Sequence, residues 1–232
     1  MKTRNLYEIG LTFIFGISLI LLFVFGTGCN TNPNMIIAPP PDIDNFGVSS
    51  YSTSDTALSD NNILVLDSAK ILIKDIKLAG GGEGSFVTGP YVVYLGLDSR
   101  VTTIDTGYLQ PGTYTVIKFE IHKPNANDPI PDPEFIDTEG TYSVIAKGRY
   151  NGLPFVYKSK RNVNEILTMP NSIIVTETGQ TNVTLKVSPY TWFIDGGAFL
   201  DPTDPSNESH IDNNIRDSFE AFKDDDKNGI PD

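Results

Sequence analysis

Pro111-Gly112-Thr113-Tyr114-Thr115-Val116-Ile117-Lys118-Phe119-Glu120-Ile121-His122 is the stretch that decides the fold. Thr113, Thr115, Ile117, Phe119 and Ile121 face one way; Tyr114, Val116, Lys118, Glu120 and His122 face the other. A period of two with polar residues on one side is the pattern of a half-buried strand, and the Pro-Gly pair before it is a turn signal. Similar runs recur on both sides. Ala69–Leu78 reads as a strand, ended by the glycines of 80–84, and Tyr91–Leu97 as another. Pro124–Gly140 is a long, proline-containing loop of the kind that is often functional or mobile. Tyr142–Tyr150 and Phe155–Ser159 flank Asn151-Gly152, the strongest short hairpin signal, because both turn positions need positive φ. Ile173–Thr176 and Thr181–Val187 complete the series, the last with Val183, Leu185 and Val187 on one face. Many short strands, many turns and almost no helix give an all-β expectation: an antiparallel β-sandwich over residues 62–195.

Beyond residue 195 the pattern changes to a helical one. Ile211, Ile215, Phe219 and Phe222 fall at spacings of four, four and three, which predicts one apolar stripe on a C-terminal amphipathic helix of about four turns. Pro205 and Ser206 suit its start. The stripe is expected to dock on the sandwich, with gripping a partner as the alternative. The chain then ends Asp224-Asp225-Asp226-Lys227-Asn228-Gly229-Ile230-Pro231-Asp232. Asp224, Asp226 and Asn228 hold oxygens at positions one, three and five. Gly229 permits a sharp turn, the Ile230 carbonyl is next, and Asp232 falls at the ninth position. Hard oxygen donors in this order suit Ca²⁺. The run is similar to thrombospondin type 3 and dockerin-like repeats, although the bidentate Glu of an EF-hand lies beyond the last residue. A solvated acidic tail is the other reading of the same residues.

Charge follows this division. The whole chain carries −12. Residues 195–232 hold eleven acids against three bases, a net of −8. Acidity concentrated at one end fits local cation binding, and the overall balance excludes a nucleic-acid partner, whose phosphates need Lys and Arg.

The front of the chain reads as an export signal. Lys2 and Arg4 precede an apolar run from Leu11 to Phe25, then Gly26, Thr27, Gly28 and Cys29, the one cysteine of the chain. A positive start, a greasy segment too short to span a bilayer and small residues before a cleavage point make a signal peptide over 1–28. Gly26-Thr27-Gly28-Cys29 resembles the bacterial lipobox, with Gly26 where that pattern prefers Leu. The resemblance implies cleavage before Cys29, a diacylglyceryl group on its sulfur and palmitate or a similar acyl chain on the new amine. A membrane is then the partner of Cys29, and the cell envelope its address. Asn30, rather than Asp, points to the outer membrane under enteric-type sorting. An ordinary core cysteine is the alternative. Residues 29–61, rich in Asn, Ser, Thr, Asp and Pro, read as a flexible tether.

Leu109–Phe119, with the strand Lys70–Ile76 before it and Thr181–Val187 after it, resembles the signature of a family of uncharacterised bacterial lipoprotein domains. That resemblance spans about Leu64 to Ser188 and implies a transthyretin-like or immunoglobulin-like sandwich with a binding or structural role and no catalytic residues.

Signals for catalysis are few. His122 and His210 lie far apart, and no nucleophile elbow, phosphate loop or zinc spacing occurs. The expectation is a non-enzyme: an envelope protein with a structural, adhesive or ligand-binding role, or a carbohydrate-binding surface lipoprotein with a glycan or envelope protein as partner. Tyr190, Trp192 and Phe193 form an aromatic cluster that either plugs the core or stacks on sugar rings. Metabolic labelling with palmitate tests the anchor: label should enter the parent protein and be lost from Cys29→Ala, and equal label in both would contradict it.

Overall fold

The computed structural model describes residues 44–53, 64–80, 83–87, 89–125, 128–129 and 132–232. The expected leader, Cys29 and most of the expected tether lie outside these. The described chain is mostly β, in mixed sheets, with one short helix near the C-terminus. Its strands are β1 (Phe46–Ser52), β2 (Leu64–Gly80), β3 (Glu83–Val87), β4 (Tyr91–Leu95), β5 (Val101–Gly107), β6 (Gly112–Ile121), β7 (Ile136–Asp137) and β8 (Gly140–Thr141). They continue as β9 (Val144–Tyr150), β10 (Leu153–Ser159), β11 (Val163–Val175), β12 (Thr181–Val187), β13 (Ile194–Asp195) and β14 (Ala198–Phe199), followed by helix α1 (Glu208–Asp217) and β15 (Phe219–Lys223).

Two main sheets enclose one core in a sandwich-like arrangement. The larger has seven strands in the order β10-β9-β2-β6-β11, with β3 and β4 also pairing β2; the smaller runs β15-β12-β1-β5. Ile71, Ile73, Ile117 and Phe119 of the first meet Phe46, Val48, Val183, Leu185 and Phe219 of the second in a single buried cluster. The alternation read in β6 holds in its second half, where Ile117, Phe119 and Ile121 are all buried. In its first half it is corrected: Tyr114 is buried while Thr113 and Thr115 are exposed, the pairing with β2 and with β11 shifting register between Tyr114 and Val116. The β9–β10 hairpin also forms as its turn chemistry requires, with Asn151 at φ 50 and Gly152 at φ 76 and Tyr150 paired with Leu153.

Several expectations are corrected. The tether does not extend unbroken to residue 61, because 46–52 form β1, an interior strand of the smaller sheet. Nor is the sandwich wholly antiparallel: β1 lies parallel to β12, with Phe46 opposite Thr181 and Ser52 opposite Val187. The four-residue helical stripe is divided. Ile211 and Ile215 lie on α1, which ends at Asp217, whereas Phe219 and Phe222 belong to β15. Spacings of four, four and three satisfy a helix, but β15 gains a full ladder of hydrogen bonds at the edge of β12, and tertiary pairing overrides propensity. The boundary at 195/196 therefore fails, since the chain end is part of the sandwich. Ser206 is not the N-cap; it sits in a 3-10 turn whose first amide hydrogen bonds are closed by Asp204, and α1 follows. Helix docking itself holds. Tyr157 Oη donates to Asp212 Oδ1 at 2.8 Å, Arg161 reaches Asp212 Oδ2 at 3.2 Å, and Trp192 Nε1 donates to Ser218 Oγ at 2.8 Å.

The long loop is only partly a loop. Pro133–Phe135 forms a 3-10 turn and β7–β8 a small hairpin. Phe135 and Tyr142 then cover Leu72 and Ile145 on the outer face of the larger sheet, making a second small core.

One carboxyl is buried with an oxygen that has no hydrogen-bond partner among the described residues. Glu165, on β11 opposite Phe119, is 7% exposed, and its Oε1 has no hydrogen bond. Burial pushes its carboxyl up to about 7; Arg216 opposes the shift and Asp217 adds to it. A raised carboxyl contributes stability that is complete below its unfolded value, near 4.5, and is lost as pH rises through about 7. Glu165→Gln removes this dependence. Its stability relative to the parent, measured by urea unfolding, should grow by on the order of 2–3 kcal/mol between pH 5 and pH 8. A difference that stays constant across that window would contradict a buried, unpaired carboxyl.

Candidate functional site

The acidic chain end is a built element of the smaller sheet. After β15 the chain turns back over the side of β12 that faces away from the core, and the amide of Asp232 closes the loop on the carbonyl of Lys223 at 3.0 Å. Asp224 is fully buried. Its Oδ2 accepts from Thr184 Oγ1 at 2.7 Å and from the Gly229 amide at 3.1 Å, and its Oδ1 accepts from the Asn228 amide at 2.9 Å. Asn182 donates to the Asp224 carbonyl at 3.0 Å and accepts from Ser49 at 3.0 Å. A buried carboxylate is tolerable only when its lone pairs are filled, and here β12 and the loop fill them together, with β1 joined one step away through Asn182. Gly229 stands at φ 81, where a Cβ would lie 2.8 Å from the Tyr51 ring. That position suits glycine on both conformational and steric grounds.

Asp224, Asp226 and Asp232 each place a carboxylate oxygen so that all three lie within 4.8 Å of one another. Three hard anionic oxygens fit a hard cation such as Ca²⁺ rather than a soft one. The side chain of Asn228, an exposed residue, is engaged within the loop instead: its Oδ1 accepts from the Ile230 amide at 2.7 Å and its Nδ2 donates to Asp226 at 2.8 Å. Ile230 is 64% exposed. Sequence reasoning missed a resident cation. Lys223 Nζ lies 2.5 Å from Asp225 Oδ2 and 2.8 Å from Asp232 Oδ2. Hydrogen bonds to Asp225 and Asp232 raise the Lys223 ammonium, and the Lys223 contact, followed by the Asp225 amide, lowers Asp232. An incoming divalent ion would share Asp232 with this ammonium.

The aromatic cluster is core. Trp192 and Phe193 are fully buried and Tyr190 is 8% exposed. Phe193 meets Phe155 and Tyr157 edge-on, with ring centroids at 5.5 and 5.7 Å. These rings offer no open face, which corrects the sugar-stacking reading of Tyr190, Trp192 and Phe193. His122 is likewise buried rather than on an open polar face, with Nε2 2.8 Å from Asp128 Oδ2. His210 is exposed and 3.3 Å from Asp195.

No protein-family model matches the chain, and no curated protein matches it. A solved structure similar to it is MbnP from Methylosinus trichosporium, at 9% identity and a TM-score of 0.40, covering 78% of this chain and 97% of that one. A likeness at that level carries no argument here.

The two ends of the acidic loop should respond differently to truncation. In the absence of divalent ions, Asp224→Ala strands the buried donors of Thr184, Asn228 and Gly229 and should cost about 2–4 kcal/mol. Asp226→Ala, at an exposed carboxylate, should cost less than about 0.5 kcal/mol. Equal losses in thermal or urea unfolding would show that the loop is not anchored through Asp224.

Proposed function

We propose that this chain is a lipid-anchored bacterial cell-envelope protein in which a non-catalytic β-sandwich, of transthyretin-like or immunoglobulin-like type, has a structural, adhesive or ligand-binding role. The lipid at Cys29 holds it on a membrane, in the outer membrane by the sorting logic of Asn30. Its C-terminal loop binds Ca²⁺ weakly, in the extracellular range of roughly 10⁻⁴ to 10⁻³ M. The observation that carries the calcium reading is the convergence of Asp224, Asp226 and Asp232 within 4.8 Å on a loop tied to two strands of the sheet. The site supplies fewer oxygens than a complete calcium loop, and Lys223 already neutralises part of it, so affinity is modest. An ion bound there strengthens the seam between the chain end and β12, which is a structural role rather than a catalytic one.

Carbohydrate binding is the second reading. It no longer draws on the aromatic cluster.

Ca²⁺ at 10 times its dissociation constant should stabilise the mature protein by about 1.4 kcal/mol, or a few degrees in Tm. Asp226→Asn should abolish that shift. Lys223→Gln should strengthen the binding severalfold by freeing Asp232. A Tm indifferent to millimolar Ca²⁺ in the parent and in Lys223→Gln would remove the calcium site and leave the anchor untouched.

A further inference from the structure

The larger sheet ends in β10, which pairs only with β9. The tight Asn151-Gly152 turn makes Tyr150 and Leu153 a hydrogen-bonded pair. Alternate residues from Leu153 to Ser159 therefore turn their N–H and C=O groups to β9, and Pro154, Val156 and Lys158 turn theirs the other way. Pro154 has no N–H to offer, which fits an outward position. No other backbone segment among the described residues bonds to the main chain of Val156 or Lys158.

Sheet edges are commonly guarded against added strands by proline or by a free lysine. Pro154 guards the start of this one. Lys158 does not guard the rest, because its ammonium is engaged elsewhere: it lies 2.5 Å from Asp137 and 4.6 Å from the centre of the Tyr142 ring. Val156 is 55% exposed.

The edge borders a groove of about 370 Å³, lined by Val156 and Lys158, by Glu139 and Tyr142, and by Asp204, Pro205 and Glu208. A partner strand needs about three residues, roughly 10 Å, to reach the outward groups of Val156 and Lys158. Glu139, Asp204 and Glu208 line the groove against two lysines, Lys158 and Lys160. Asp137 already neutralises Lys158, so with Asp137 counted four carboxylates stand against two ammonium groups, a net of −2. Glu139, Asp204 and Glu208 have no basic side chain within 4.0 Å of their carboxylates among the described residues.

We propose that this groove takes up an extended, lysine- or arginine-bearing segment of a partner protein, which joins the larger sheet as a strand beside β10. Main-chain hydrogen bonds to Val156 and Lys158 supply the pairing. Basic side chains of the segment meet Glu139, Asp204 and Glu208, and their aliphatic stems lie on Val156 and Pro205. An acidic segment meets like charge and is rejected. This gives the ligand-binding role proposed above a partner, and it stands without the lipid anchor or the calcium loop.

Fluorescence anisotropy with a labelled acetyl-Lys-Val-Lys-Val-Lys-amide peptide and the mature protein tests this. The peptide should bind saturably, and more weakly as salt rises. The same peptide N-methylated throughout, and one with glutamate in place of lysine, should not bind. Hydrogen exchange should show the amides of Val156 and Lys158 protected on binding, with β5, the free edge of the smaller sheet, unchanged. Val156→Pro removes an outward N–H and no bond to β9; it should weaken binding about tenfold, the loss of one hydrogen bond. The double variant Glu139→Gln, Glu208→Gln keeps every main-chain group; it should weaken binding severalfold and flatten the salt dependence. No saturable binding of the basic peptide, protection at β5 instead of β10, or unchanged affinity and salt dependence in the double variant would overturn the proposal. Equal binding of the N-methylated peptide would reduce the effect to charge attraction and overturn the added strand.

Discussion

The buried carboxylate of Asp224 is the constraint around which the smaller sheet is organised. Two of its strands come from near the opposite ends of the described chain: β1 from residues 46–52 and β15 from 219–223. Both depend on β12, one parallel and one antiparallel to it. The outward side of β12 presents Asn182 and Thr184, which are buried and so require partners. The acidic loop supplies them. Thr184 donates to the Asp224 carboxylate and Asn182 to its carbonyl, while Ser49 brings β1 into the same network. The chain end is therefore a cover for a polar seam, and whatever cation it takes up acts on the pairing of the terminal strands.

Legibility from sequence followed which faces of a strand meet water. β6 and β9–β10 were readable because alternation or an Asn-Gly turn marks them locally. β1 was not. Its residues Ser49, Ser50 and Ser52, and Asn45 just before it, are polar but buried, satisfied by partners far along the chain, so composition alone resembles a linker. Ser52, for example, donates to the Gly96 carbonyl. The split of the C-terminal stripe into α1 and β15 was hidden for the reverse reason: Phe219 and Phe222 continue a helical spacing, and only the free edge of β12 draws them into a ladder.

The acidic motif was legible as chemistry but not as architecture. The order of Asp and Asn residues indicates oxygen donors for a cation. It does not show that Asp224 is buried and triply hydrogen-bonded, or that Lys223 reaches Asp225 and Asp232. The free edge of β10 was invisible for a related reason, since it arises from strand order. Together these features assign different work to the two sheets. The outer face of the smaller sheet is covered by the chain end around Asn182, Thr184 and Tyr51. The larger sheet is covered by Phe135 and Tyr142 at one part, with the edge of β10 left open beside them.

Native-state hydrogen exchange of the mature protein, read amide by amide, tests the central claim most directly. If Asp224 clamps the chain end to the sheet, the amides of Asn228 and Gly229, which donate to it, should be protected at the level of β12 and β15 and lose that protection in Thr184→Val. Exchange of both amides at the rate of an unstructured peptide, while β12 stays protected, would contradict the account.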